Sequence, residues 1–204
     1  MATTMTKRKP KKGTDLLVKM LFALGNPGDR YRDTRHNAGR WLADHLARRW
    51  KLGAFRRTDG SESVEGAAAG HAVRVVKPRG YMNLSGRVLP GLLADTPVQP
   101  GQDLLVLVDD VSLPPGSFRI RGRGSAGGHN GLSSVEDALE SREYARLRIG
   151  VGGPPSDEID LAEWVLHAPS DADEQVVLES FDTMAEAVEL WMADGVESAM
   201  NEYN

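Results

Sequence analysis

The run Leu104-Leu-Val-Leu-Val108 is the strongest constraint on how this chain folds. Five consecutive aliphatic residues without polar alternation form a strand that must be covered on both faces. Leu16 to Leu24 is a second, nearly continuous apolar run, and it ends at Gly25 as a buried strand feeding a turn does. Between these runs the period changes: Trp41, Leu42, His45, Leu46 and Trp50 recur at helical spacing behind Gly39, enough for about three turns with one inward face. Buried strands alternating with amphipathic helices specify an α/β fold, here a single-domain twisted mixed sheet sandwiched by helices.

The rest of the chain fills in this plan. Val64 to Ala69 and Ala72 to Val76, split by Gly70-His71, read as a hairpin closing at Lys77-Pro78. Met82 to Ala94 is helical in character but contains Pro90, which has no backbone N–H, so the helix kinks or restarts near Leu89. Phe118-Arg-Ile-Arg121 alternates like a strand with one wet face; Gly131 to Ser141 reads as helix, and Leu147 to Val151 as a strand ended by Gly152-Gly-Pro-Pro155. From Asp171 to Met192, the residues Val177, Leu178, Phe181, Met184, Ala185, Val188 and Trp191 predict one amphipathic helix with an acidic outer face.

Charge is divided along the chain. Up to Arg148 there are 25 Lys and Arg against 15 Asp and Glu, a net +10; from Ile149 onward there are 14 acids and no Lys or Arg. A basic front part fits a polyanionic partner, and the acidic remainder excludes a protein that coats nucleic acid with its whole surface. Between Met20 and Arg148 arginine outnumbers lysine 17 to 2, which favours directed phosphate contacts over diffuse attraction. Residues 1–19, with Lys7, Arg8, Lys9, Lys11 and Lys12, read as a flexible basic arm ahead of a folded domain at 20–204, and they lack the apolar segment of a secretory signal. No apolar run reaches membrane-spanning length. With no cysteine, disulfides and thiolate metal sites are excluded and an intracellular compartment is favoured.

The chemistry concentrates in two glycine-punctuated turns. Arg123-Gly-Ser-Ala-Gly-Gly-His-Asn-Gly131 places His129 and Asn130 at the end of a loop almost free of side chains, where a substrate backbone can approach closely. Leu24-Gly-Asn-Pro-Gly-Asp-Arg-Tyr-Arg-Asp-Thr-Arg-His-Asn-Ala-Gly39 carries a second pair, His36-Asn37. The strand at 104–108 delivers Asp109-Asp110 to its C-terminal end, where open α/β sheets place their chemistry. His36 suits a general base near neutral pH, and Asp109 suits the acceptor that fixes its tautomer. There is no Gly-x-Ser-x-Gly elbow and no cysteine, so the nucleophile is an activated water. The chain lacks the His-x-x-x-His spacing of a zinc site, the Lys-Ser/Thr of a P-loop and the Gly-x-Gly-x-x-Gly order of a dinucleotide fold; no metal and no cofactor is expected.

At this point the residues resemble bacterial-type peptidyl-tRNA hydrolases, over nearly all of Leu21 to Tyr203. Four ordered segments carry the resemblance: Gly25 to Gly39, Lys77-Pro-Arg-Gly-Tyr-Met-Asn-Leu-Ser-Gly86, Asp109 to Gly116 running into Gly124 to Leu132, and Arg146-Leu-Arg-Ile-Gly-Val-Gly152. The resemblance implies a monomeric cytoplasmic enzyme that hydrolyses the ester joining a peptide to the terminal ribose of tRNA. It assigns His36 as base, Asp109 as its carboxylate and Asn26 as the residue that discriminates blocked from free aminoacyl-tRNA. Tyr31, Tyr81, Asn83 and Asn130 match substrate contacts, Met82 an apolar wall beside them, and Arg121 and Arg148 the neighbourhood of the terminal phosphate. His129 shapes the site or touches substrate; His45, His71 and His167 fall outside the motifs as surface or packing residues. Four departures are noted: Gly80 replaces the usual Thr, Val108 the usual His, Arg123 the usual Gly, and Pro90 interrupts the helix presenting Asn83. Two other readings are a non-catalytic RNA-binding relative and a small-molecule esterase.

Overall fold

The computed structural model describes residues 17–58 and 60–204; the cations from Lys7 to Lys12 lie outside the described residues. The strands are β1 (Val18–Ala23), β2 (Arg56–Thr58), β3 (Ser61–Ala68), β4 (His71–Pro78), β5 (Leu104–Asp110), β6 (Phe118–Arg121) and β7 (Ala145–Gly150). They form one seven-stranded sheet in the order β2-β3-β4-β1-β5-β7-β6. The middle of the sheet, β4, β1, β5 and β7, is parallel; β2 and β3 extend one side and β6 the other by antiparallel pairing. Lys19, placed with the arm on sequence grounds, sits inside β1 and pairs with Asp103 at 3.0 Å.

Every residue of β5 is buried, as its unbroken apolar run requires. Alternate strand positions then feed two cores. Leu21, Leu105, Leu107, Leu147 and Ile149 pack on one face beneath α1 (Ala38–Arg49) and α7 (Phe181–Tyr203). Phe22, Leu24, Leu104, Val106 and Val108 pack on the other with Met82, Leu89 and Leu92 of the segment leading into and through α2 (Leu89–Asp95), and with Leu132 and Val135 of α4 (Asn130–Leu139). Short helical turns α3 (Pro100–Asp103) and α5 (Leu161–Trp164), and α6 (Asp171–Glu179), complete the chain. No helix among the described residues is long and apolar enough to cross a membrane.

Pro90 acts as its chemistry dictates. Met82 to Val88 is a 3-10 helix, and the α-helix restarts at Leu89 with Pro90 in its first turn, where a missing N–H costs nothing. The single helix expected from Asp171 to Met192 is instead two. α6 stops at Ser180, whose hydroxyl donates to the Val177 carbonyl at 2.7 Å, and α7 starts at buried Phe181. The break turns Leu178 outward, 46% exposed, although its spacing placed it with the core. α7 runs on to Tyr203 with a second break at Gly195, where φ is 86°.

Two glycines let helices approach the sheet and each other at backbone distance. A Cβ on Gly39 would overlap the Leu107 carbonyl oxygen and lie 2.9 Å from that of Leu24; one on Gly86 would overlap the Ser134 carbonyl of α4. Gly39 thus seats the N-terminus of α1 on β1 and β5, three residues after His36. Gly39→Ala is expected to destabilise the protein by about 1–3 kcal/mol, the cost of overpacking against rigid atoms, and to lower activity by lifting His36 off β5. Chemical denaturation and turnover measured on the same variant check this; unchanged stability would show that α1 yields.

Candidate active site

β5 follows the face alternation into its end, so Asp109 points to the side of Leu105 and Leu107, where α1 begins. His36 occupies the 3-10 turn Arg35–Asn37 that leads into α1, and its Nδ1 lies 3.1 and 3.0 Å from the two Asp109 oxygens. Asp109 is only 2% exposed. Burial alone pushes its carboxyl up, but His129 and His36 beside it hold it well below the usual carboxylate range. An ionised carboxylate only accepts, so the proton of His36 resides on Nδ1 and the lone pair on Nε2. That is the tautomer of a base.

His129 approaches Asp109 from the opposite wall. Its Nε2 is 3.0 Å from Asp109 Oδ1, while its Nδ1 accepts the backbone N–H groups of Gly131 and Leu132 at 3.1 and 3.3 Å. His129 is therefore the N-cap of α4, in a role that Ser, Asp or Asn usually fills. The cap requires a lone pair on Nδ1, which places the proton on Nε2, aimed at Asp109. One carboxylate thus receives an N–H from each of two imidazoles whose rings stand 4.9 Å apart. The sequence left the role of His129 open between shaping and contact; it caps α4, donates to Asp109 and also lines the cavity.

Asn26 lies in the turn after β1, fixed by a reciprocal clamp. Its backbone N–H donates to Asn37 Oδ1 at 2.8 Å, and Asn37 Nδ2 donates back to the Asn26 carbonyl at 3.1 Å. The Asn26 Oδ1 accepts the Met82 N–H at 2.8 Å. The side-chain oxygen is therefore committed, and the Nδ2 amide is the group left for the cavity. Asn37, named from sequence only as the neighbour of His36 in the His36-Asn37 pair, is the residue that orients Asn26.

These groups open on a cavity of about 610 Å³. Asn26, His36, Tyr81, Met82, Asn83, Asp109, His129, Asn130 and Arg148 line it, so nine of the eleven sequence-nominated residues converge. Tyr31 and Arg121 do not line it. Tyr31 sits in the exposed turn Asp29–Tyr31 against Arg30, and Arg121 turns toward its neighbouring carbonyl at Ile120. Arg148 is held by Asp110, Nε to Oδ2 at 2.7 Å. Across the β6–β7 ladder the register places Arg119 opposite Arg148 and Arg121 opposite Arg146. Arg119 is a candidate missed from sequence, although the alternation of Phe118 to Arg121 already put it on the face of Arg121. Of the departures, Val108 is buried in the core, Arg123 is exposed on the loop rim, and Gly80 packs by Leu84.

His36, Asp109 and His129 bring three potential ligand atoms within 4.8 Å of one another. The donor set fits a metal poorly. Nε2 of His129 carries the proton that its helix cap demands, so coordination there would strip Gly131 and Leu132 of their acceptor.

Comparison with known proteins follows this geometry. The family model described as peptidyl-tRNA hydrolase matches residues 20–204. The chain is 44% identical over 188 residues to the peptidyl-tRNA hydrolase of Gemmatimonas aurantiaca, spanning 90% of this chain and 98% of that one. It is 42% identical to that of Chloroflexus aggregans, with 91% and 98% covered. The crystal structure of peptidyl-tRNA hydrolase from Acinetobacter baumannii superposes with a TM-score of 0.84 at 32% identity, covering 94% of this chain and 97% of that one. This chain belongs to the peptidyl-tRNA hydrolase family. Membership places the Gly-rich turns and the buried Asp109 cluster in a fold shared with solved family members.

Two tests follow from the cluster. In Asp109→Asn the new amide can donate to His36 Nδ1, favouring the tautomer whose Nε2 is protonated; turnover is expected to fall ~10²–10⁴-fold, with the ring nitrogen NMR shifts reporting the exchange of protonation. Unaltered shifts would separate Asp109 from the tautomer. The depressed Asp109 carboxyl also binds its proton later in the folded than in the unfolded chain, so its contribution is present above the ordinary carboxylate pKa of about 4 and is lost as pH falls toward the folded value. Denaturation below pH 4 is expected to show a shallower loss of stability with acid in Asp109→Asn than in the parent.

Proposed function

We propose that this protein hydrolyses the ester linking a peptide's C-terminal carbonyl to the terminal ribose of tRNA, using water activated by His36. The observation that carries the reading is the buried His36–Asp109 pair, which leaves Nε2 as a lone pair facing the cavity. His36 Nε2 takes a proton from water as the oxygen attacks the ester carbonyl, and Asp109 stabilises the imidazolium that forms. The tetrahedral oxyanion collapses, the C–O bond to the ribose breaks, and the leaving oxygen takes the proton back from His36. Peptide acid and free tRNA result.

Asn26 presents a donor, and a donor suits a carbonyl or the developing oxyanion. A free aminoacyl ester brings an ammonium, which is also only a donor. Blocked substrates are accepted and free ones rejected on that ground. Tyr81, Asn83 and Asn130 are exposed on the cavity rim with Met82 behind them, placed to hold the peptide and terminal nucleotide. Tyr31 and Arg121 contact parts of the substrate that extend beyond the cavity.

The arginine ladder supports a polyanionic substrate. Like charges directly opposite across strands are destabilising; Arg146 is buried, and phosphate over the accessible guanidinium groups of Arg119, Arg121 and Arg148 relieves the rest. Arg148 has Asp110 and Arg146 has Glu136 at 3.7 Å; Arg119 and Arg121 carry no such ion pair among the described residues. A small ester has no need of this ladder, and a non-catalytic RNA binder has none for a buried His–Asp pair. We place the reaction in the cytoplasm, with the enzyme as a monomer.

N-acetyl-aminoacyl-tRNA is expected to be hydrolysed and free aminoacyl-tRNA spared. His36→Ala is expected to lose ~10²–10⁴ in kcat while tRNA binding measured by filter retention persists; near-parental turnover would remove His36 from the chemistry. Arg119→Gln combined with Arg121→Gln is expected to raise KM and flatten the salt dependence of binding with kcat nearly intact, the signature of lost counterion release and uniform binding. A fall confined to kcat would place these arginines at the transition state instead.

A further inference from the structure

We propose that the α5 segment reads the side chain of the amino acid esterified to the tRNA, accepting apolar side chains and disfavouring acidic ones. The inference rests on the hydrolase reading above.

Leu161, Ala162, Val165 and Leu166 line the cavity together. Leu161 and Leu166 leave 52% and 40% of their surface exposed, an apolar face on the wall of a cavity that also holds His36, Asp109 and Asn26. The face is locked to the base. The His36 N–H donates to the Val165 carbonyl at 2.9 Å and the Arg35 N–H to that of His167 at 3.2 Å. The Arg35 side chain, 4% exposed, points Nη1 at the carbonyls of Trp164, His167 and Ala168 at 3.4, 3.1 and 2.9 Å and stacks 3.5 Å from the Trp164 ring centre. Trp164 Nε1 in turn donates to the Gly152 carbonyl at 2.9 Å. The spacing between Nε2 of His36 and the apolar face is therefore fixed by these bonds. A carbonyl placed for water attack carries its side chain on the adjacent α-carbon, two bonds away, inside the cavity that this face and His36 both line.

Charge sharpens the preference. The face comes from the part of the chain after Arg148, which has no Lys or Arg. Asp160 lines the same wall, and its Oδ1 caps α5 through the Ala162 N–H at 3.0 Å. The cation that lines the same cavity, Arg148, is already bound to Asp110. An aspartyl or glutamyl side chain meets apolar surface and a like charge, whereas a leucyl or phenylalanyl side chain is desolvated favourably.

The test holds the tRNA constant: one tRNA body charged chemically with N-acetyl-Phe, N-acetyl-Leu, N-acetyl-Gly or N-acetyl-Asp. Parental kcat/KM is expected to be at least about tenfold higher for Phe and Leu than for Asp, the range one apolar contact supplies, with Gly between. The double variant Leu161→Ser, Leu166→Ser is expected to lose most for Phe and Leu and so to compress the series, while its melting temperature stays near the parent because both side chains are exposed. Equal parental rates on all four esters, or a double variant that slows all four alike, would overturn the proposal and leave the hydrolase reading standing. Failure to hydrolyse any of the four would overturn that reading, and this one with it.

Discussion

A carboxylate 2% exposed, Asp109, is the interaction on which the site is organised. A buried charge is tolerated only when paired and hydrogen-bonded, and the partners here come from two other elements: His36 ahead of α1 and His129 ahead of α4. The end of β5, the start of α1 and the start of α4 are thus tied at one point. The same demand fixes proton positions. Asp109 can only accept, His129 must also accept from the α4 backbone, and the free lone pair left facing the cavity is Nε2 of His36. The arrangement follows from satisfying a buried charge, and Val108 and Gly80 leave its three groups in place.

Much of this was legible from residue order, and the limits have physical causes. Uninterrupted runs identified β1 and β5 because burial on two faces leaves a compositional trace, and Pro90 announced the restart of α2 through its missing N–H. The family resemblance carried His36, Asp109 and Asn26, which the cavity brings together. What failed depends on contacts distant in sequence. Ser180 breaks a stripe whose periodicity is continuous on paper, so Leu178 looked inward. Asn26 has an oxygen and a nitrogen of equal standing until Met82, 56 residues away, claims one. Arg35 looks like one more cation in a basic stretch, and only the fold reveals it stacked beneath Trp164 and tied to three carbonyls. Arg119 was passed over for Arg121 because the strand pairing that sets it opposite Arg148 is not visible before the sheet is assembled.

The division of charge acquires a meaning from where the cavity lies. Arg148 is the last cation of the chain, at the end of β7, and α5 opens the segment that has none. The site sits on that boundary, with the arginine ladder of β6 and β7 on one side and the apolar, acid-flanked face of α5 on the other. A substrate that is a polyanion at one end and a peptide at the other matches the boundary in one orientation: reversing it would bring phosphate toward Asp160 and a segment whose own residues include no Lys or Arg. Net charge near −4 therefore describes neither half. The two halves meet where Arg35, from the basic part, holds the α5 segment of the acidic part through the carbonyls of Trp164, His167 and Ala168, so the charge boundary is fixed by hydrogen bonds beside His36.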